Sequence, residues 1–211
     1  MMIPFNQLFK FVIETCAKHN IDDSHGLKHS MDVLNYSQKI YNEEKKINNL
    51  IHDYPYEKII FTSAILHDMC DNKYMDDDDG LYNIKKFLKT DLKYKENEID
   101  IIGKIIDTMS YSKVKKNGFP DLKEFQLPYH IVREADLLTA YDIDRCIAYG
   151  INKRNMTYEE SFCEARKLYT VRMGKHIEDN LLTTEFALEE GKILDVINRK
   201  RIEEIESLLK N

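Results

Sequence analysis

Three short segments carry side chains able to bind a metal ion or move a proton. They are His25-Gly26-Leu27-Lys28-His29, the adjacent pair His67-Asp68, and Asp136 within Arg133-Glu134-Ala135-Asp136-Leu137-Leu138. Histidines at i and i+4 share one face of a helix. His67-Asp68 closes an apolar run that begins at Ile59, and Asp136 sits in another largely apolar run. Burying imidazole and carboxylate on such faces is costly unless they are paired or bind an ion. Two imidazoles and two carboxylates make a mixed nitrogen and oxygen donor set. That set suits a borderline divalent ion such as Mn2+, Fe2+, Co2+, Ni2+ or Zn2+. An ion of this kind polarises phosphate oxygens and acidifies water, so metal-assisted hydrolysis is within reach.

The elements that must position these groups read as helices nearly throughout. Phe5, Leu8, Phe9, Val12, Ile13 and Cys16 recur at helical spacing behind Pro4. Asp22, Asp23 or Ser24 can cap a second helix carrying His25, His29, Val33, Tyr36 and Ile40. Pro55 opens a third, with Ile59, Ile60, Ser63, Ala64 and His67 on one stripe. The acidic run Asp76 to Asp79 lacks the spaced ligands and closing Glu of a calcium loop. It reads as the cap of an amphipathic helix holding Leu81, Ile84, Phe87 and Leu88. A fifth helix is expected near Glu96 to Met109. Ser110 to Leu127, with Gly118, Pro120 and several lysines, reads as a loop over one face. A long helix follows Pro128 through Val132, Ala135, Leu138 and Ala140. From Thr157 onward two or three more are expected. One holds Ser161, Glu164, Ala165 and Leu168, another Ile193, Val196, Ile197, Ile202, Ile205 and Leu208. With no strand alternation, repeat or linker, the expected fold class is all-α and single-domain, spanning 1–211.

Composition narrows the function classes. A chain of 211 residues fits one domain, and no run of about 18 apolar residues could span a membrane. With 37 acidic against 31 basic residues, the net charge is −6. An extended nucleic-acid partner is therefore disfavoured, while a local pocket for phosphate stays open. The four cysteines, Cys16, Cys70, Cys146 and Cys163, form no C-x-x-C pair. The start, Met1-Met2-Ile3-Pro4-Phe5, has neither the basic nor the long apolar region of a signal peptide. Both features point to reduced thiols and a cytoplasmic location.

The order and wording of the three segments resemble the H…HD…D signature of the HD-domain phosphohydrolases. Ser24-His25-Gly26-Leu27-Lys28-His29 with Val33 is similar to the family's S-H-x-x-x-H-x-x-x-V. Ala64-Ile65-Leu66-His67-Asp68-Met69 resembles A-x-L-H-D-[IM], and Glu134 to Ala140 resembles the D-A-D-x-L-x-A helix. The similarity covers roughly residues 20–150, with helices of 151–211 expected to pack on that part. It is strongest to the small bacterial-type HD hydrolases, some of which are nucleotide pyrophosphohydrolases.

The resemblance implies one divalent ion (Mn2+, Co2+, Ni2+, Fe2+, Zn2+ or Mg2+) held by His29, His67, Asp68 and Asp136. It implies that Asp71, in a pattern like H-D-x-x-D-x-K, orients or deprotonates the attacking water. Lys73 would contact phosphate, and His25 would bond phosphate or help protonate the leaving group. Lys28 and Lys113 are expected substrate contacts. Met109 stands where the subgroup's H-S-[FY]-S stretch has its histidine, so Ser110-Tyr111-Ser112-Lys113 matches in part. The implied reaction is hydrolysis of a nucleotide, first of all a nucleoside triphosphate to monophosphate and pyrophosphate. A nucleoside monophosphatase, a hydrolase of guanosine polyphosphates and a non-catalytic sensor are the alternatives.

The remaining candidates are read plainly. His19, His52 and His176 read as ordinary histidines. Between His67-Asp68 and Asp136 only His130 is available as an extra ligand, too few for a second ion. The lysine-rich stretch 113–123 reads as a solvated loop that could cover the cleft. Arg172, Lys175 and His176 form a basic group that could complete a phosphate pocket, although no motif marks them.

Overall fold

The structure is a computed structural model and describes residues 2–47 and 56–210. Pro55, expected to open a helix, and His52 lie outside the described residues. Apolar side chains at three- and four-residue spacing turn most of the described chain into helices, and no strand occurs among the described residues. The helices are α1 (Phe5–His19), α2 (Leu27–Ile47), α3 (Tyr56–Leu66), α4 (Asp77–Thr90), α5 (Glu96–Thr108) and α6 (Tyr111–Asn117). They continue with α7 (Gln126–Thr139), α8 (Ile143–Arg154), α9 (Tyr158–Val171) and α10 (Glu185–Leu209). The fold is all-α.

Helix α3 lies at the centre because it is apolar all round: every residue from Lys58 to Leu66 is buried. Lys58 is tolerated there because Glu98 accepts from it at 2.6 Å and the Tyr94 ring lies 3.6 Å below it. Helices α2 and α7 pack on α3 and on each other, while α1 and α5 cover other sides of α3. Helices α8 and α9 pair closely, and Gly150 permits it. A Cβ there would stand 2.6 Å from Ser161 Oγ. A second small apolar cluster, Ile143, Ile147, Phe162, Ala165 and Ile205, ties α8, α9 and α10 together. Among the described residues no helix is long and apolar enough to cross a membrane.

Several expectations hold and others need correction. Asp76 caps α4, accepting from the backbone N–H of Asp78 and Asp79. The segment 110–127 is not simply a loop. Ser110 caps α6, which ends at Gly118 with φ 75°, and a 3-10 turn follows at Lys123–Phe125. Only Val114 of α6 is buried, so the apolar periodicity that marks a helix is missing. The second helix starts at Leu27, not before His25. Asp22 instead closes a turn, its carboxylate accepting from Ser24 N–H and its carbonyl from His25 N–H. His25 and His29 therefore do not share a helical face. The apolar set expected to bury α10 does so in part only. Ile193, Val196, Ile197 and Leu208 are exposed, while the helix docks through Ala187, Gly191, Asn198 and Ile205. Asn198 explains that choice of face, because its Oδ1 accepts from Ile143 N–H in the first turn of α8.

One buried carboxylate joins the C-terminal part to α7. Glu134 is fully buried and accepts four hydrogen bonds from the N–H and hydroxyl groups of Thr183 and Thr184, at 2.5–3.0 Å. Arg133 Nη2 adds a fifth at 3.1 Å. Replacing this carboxylate leaves buried donors unmatched. Glu134→Gln is expected to lower stability by about 3–5 kcal/mol, read from urea unfolding. An unchanged midpoint would remove Glu134 as the fastening point of α10.

Candidate metal centre

The turn after α3 sets His67 and Asp68 where the apolar helix ends. His67 Nδ1 donates to the Ala64 carbonyl at 2.9 Å, which fixes the ring and turns Nε2 inward. His29, in the first turn of α2, brings its Nε2 to 3.1 Å from His67 Nε2. Asp136, in the last turn of α7, brings Oδ1 to 3.4 Å and 3.7 Å from the same two nitrogens. The donor atoms of His29, His67 and Asp136 all lie within 4.8 Å of one another. Asp68 borders this set, with Oδ2 3.2 Å from His29 Nε2 and Oδ1 3.3 Å from His67 Nε2.

The residues fit a divalent ion. Two ring nitrogens converge on one point, and Asp68 Oδ2 is buried without a hydrogen bond among the described residues. The C-terminal ends of α3 and α7 both meet here, and helix C-termini favour cations. The imidazoles are almost wholly buried, while Asp68 and Asp136 keep 15% and 24% exposure. Access is therefore past the carboxylates. Burial alone would lower the pKa of His67, but the charge and hydrogen bond of Asp68, aided by Asp136, raise it to about 9. Burial also opposes ionisation of Asp68 and Asp136, yet the two histidines hold both carboxyls well below the usual range.

A second group stands beside the centre. Lys73 Nζ donates to Asp71 Oδ2 at 2.9 Å and to His25 Nε2 at 3.1 Å. On its other side His25 Nδ1 meets Ser24 Oγ at 2.7 Å and Tyr74 OH at 3.2 Å. Burial, with the nearby charges of Lys73 and Arg145, pushes His25 down to about 4, against the pull of Asp68. Its neutral ring accepts from Lys73 and so positions that ammonium.

These groups share a cavity of about 550 Å³. His25, His29, Asp68, Asp71, Lys73 and Asp136 all line it. His67 stands behind His29 and Asp68. The structure does not bring Lys28 or Lys113 there. Lys28 is exposed and held by Asp32, four residues along α2, and Lys113 is held by Asp107 and Asp77. His130 is bound to Gln126 and Arg133, away from the centre.

The opposite wall comes from α8, α9 and the residues after α9. Arg145 and Tyr149 of α8 line the cavity, and sequence reasoning missed both. No helix was expected between Ala140 and Thr157, although the Asp142 cap with Ile143 and Ile147 could have shown α8; nothing near Arg145 marks its role. Of the basic group 172–176, Arg172 lines the cavity, Lys175 is exposed and His176 is fully buried. Neither nitrogen of His176 has a hydrogen-bond partner among the described residues. Burial, with the charge of Arg172, holds it down to about 4, so it is no ordinary surface histidine.

No family model and no curated protein matches this chain. Among solved structures, a crystal structure of a structural-genomics target from Lactobacillus plantarum is similar at 19% identity. The match covers 99% of each chain, with a TM-score of 0.70. At that identity the likeness concerns the fold.

In the metal-free protein His67 carries a proton up to about pH 9, and an ion must displace it. Ion binding at pH 7 is therefore expected to release about one proton, with affinity rising about tenfold per pH unit toward pH 9. Calorimetry in buffers of different ionisation enthalpy reads this, and zero proton release would contradict the assignment. The sign for the metal-free fold is opposite. The raised pKa stabilises it fully below about pH 6.5, and that contribution is lost as pH rises through about 9.

Proposed function

We propose that the protein is a metal-dependent phosphohydrolase of the HD type. Its leading reaction would be hydrolysis of a nucleoside triphosphate to a monophosphate and pyrophosphate. One observation carries the reading: His29, His67 and Asp136, bordered by Asp68, converge at a cavity that Asp71 and Lys73 also line. A divalent ion bound by this set supplies Lewis-acid polarisation of a phosphate oxygen and of the attacking water.

The chain's own groups have separate tasks. The oxygen of water forms a bond to the α-phosphorus, and the bond from that phosphorus to the bridging oxygen breaks. Asp71 takes the proton that the water loses. Lys73, steered by neutral His25, stabilises negative charge developing on phosphate. The four free cysteines agree with a reducing, cytoplasmic setting for this enzyme.

The test is phosphate and pyrophosphate release from a nucleotide panel. The protein is stripped of metal and then given Mn2+, Co2+, Ni2+, Fe2+, Zn2+ or Mg2+. Metal-dependent formation of monophosphate and pyrophosphate is the expected result. Orthophosphate released from monophosphates alone would make it a nucleotidase. Tight nucleotide binding with no turnover would make it a sensing module. Asp71→Asn is expected to keep the ion and lose turnover about a hundredfold or more. Full turnover in that variant would take Asp71 out of the mechanism.

A further inference from the structure

Three arginines line the cavity, none used by the reaction above, and two of them, Arg145 and Arg172, have no carboxylate partner among the described residues. Arg145 is half-buried on α8. Its Nη1 contacts His29 Nδ1, lies 3.2 Å from His29 Nε2, and donates to Thr139 Oγ1 at 3.4 Å. Arg172 follows α9, with its guanidinium 4.1 Å from the centre of the Tyr111 ring. Its Nε is buried without an acceptor among the described residues. Neither arginine forms an ion pair with a carboxylate among the described residues.

The other cations of the cavity differ. Lys73 pairs with Asp71 at 2.9 Å and Arg154 with Glu164, while Lys167 on α9 is exposed to solvent. A guanidinium drawn partly out of water without an anion is costly, and two of them face one cavity. The Tyr111 ring packs against the Arg172 guanidinium, and His176, with its ring 6.0 Å from Tyr111 and 5.4 Å from Tyr141, packs beside that tyrosine. The planar fork so presented matches phosphate oxygens in a bidentate way.

Arg145 reaches a nitrogen of the metal-ligand set itself. An anion bound by Arg145 must therefore abut the group held at the centre. We infer that Arg145 and Arg172 form a phosphate subsite for the second phosphate of the substrate, so that the cavity takes a chain of linked phosphates and discriminates against monophosphates. This rests on the phosphohydrolase reading for the position of the first phosphate.

Inorganic tripolyphosphate and orthophosphate are the probes, titrated by calorimetry into the metal-free full chain at low salt. Tripolyphosphate is expected to bind at least about tenfold more tightly than orthophosphate. Arg145→Gln and Arg172→Gln should each weaken tripolyphosphate about tenfold or more, with thermal melting as the check on folding. Arg172→Lys should recover part of the loss, because it restores the charge without the fork. Lys192→Gln, a surface change on α10, should alter nothing. Equal affinity in wild type and both Gln variants, or no preference for tripolyphosphate, would overturn the subsite. Kinetics with the metal-loaded protein separate the two readings. Arginine-dependent polyphosphate binding without cleavage of any nucleotide keeps the subsite and defeats the hydrolase. Cleavage of triphosphates with unchanged KM in both Gln variants keeps the hydrolase and defeats the subsite.

Discussion

The constraint on which the rest depends is the meeting of two imidazoles and two carboxylates at the end of a buried helix. His67 and Asp68 stand where α3 stops, and α3 has no polar face to spare. Polar groups at that depth need partners. Helix α2 supplies His29 from its first turn and α7 supplies Asp136 from its last. Helices α2, α3 and α7 pack in all three pairings, and the turn bearing His67 and Asp68 is tied back to α3 through Ala64 O, so core packing sets the spacing of the four groups.

Helix direction adds to this. The carbonyl ends of α3 and α7 point toward the cluster, and Ala64 O already holds His67. Partial negative charge from these two C-termini is offset in part by the N-terminus of α2 at His29, and the two ionised carboxylates make the centre cation-seeking. The wall beyond it has the reverse character. Arg145, Arg172 and Lys73 bring positive charge to the same cavity from three different parts of the chain. Opposite charges thus face each other across one cavity.

The C-terminal third is more than a cover. Glu134 lies two residues before Asp136, and its buried carboxylate grips Thr183 and Thr184 just ahead of α10. Asn198 of α10 in turn caps the first turn of α8, the helix that bears Arg145 and Tyr149. Helix α10 therefore links the helix carrying Asp136 to the wall that faces it, hydrogen-bonded at both places. This arrangement explains why α10 buries small and polar positions while Val196 and Leu208 remain in solvent.

By itself the sequence determined the all-α class and most helices, because apolar spacing sets which face of a helix turns inward. It also marked His29, His67, Asp68 and Asp136, since imidazole and carboxylate stand out among apolar neighbours. Periodicity does not fix how a face is turned relative to another helix, and there the tertiary structure decided. Lys28 sits beside His29 in sequence, yet Asp32 on its own helix holds it outside the cavity, and Lys113 of α6 is held by Asp77 of α4 and Asp107 of α5. Arg145 and Tyr149 come from a helix that no motif identifies, and they reach the centre only because α8 packs across it. His25 shows both sides of the matter. Its type marked it, but only its burial, beside the Lys73 ammonium and Arg145, makes it a neutral acceptor. A side chain's chemistry is local, whereas its partners and charge state come from whatever the fold brings within about 3 Å.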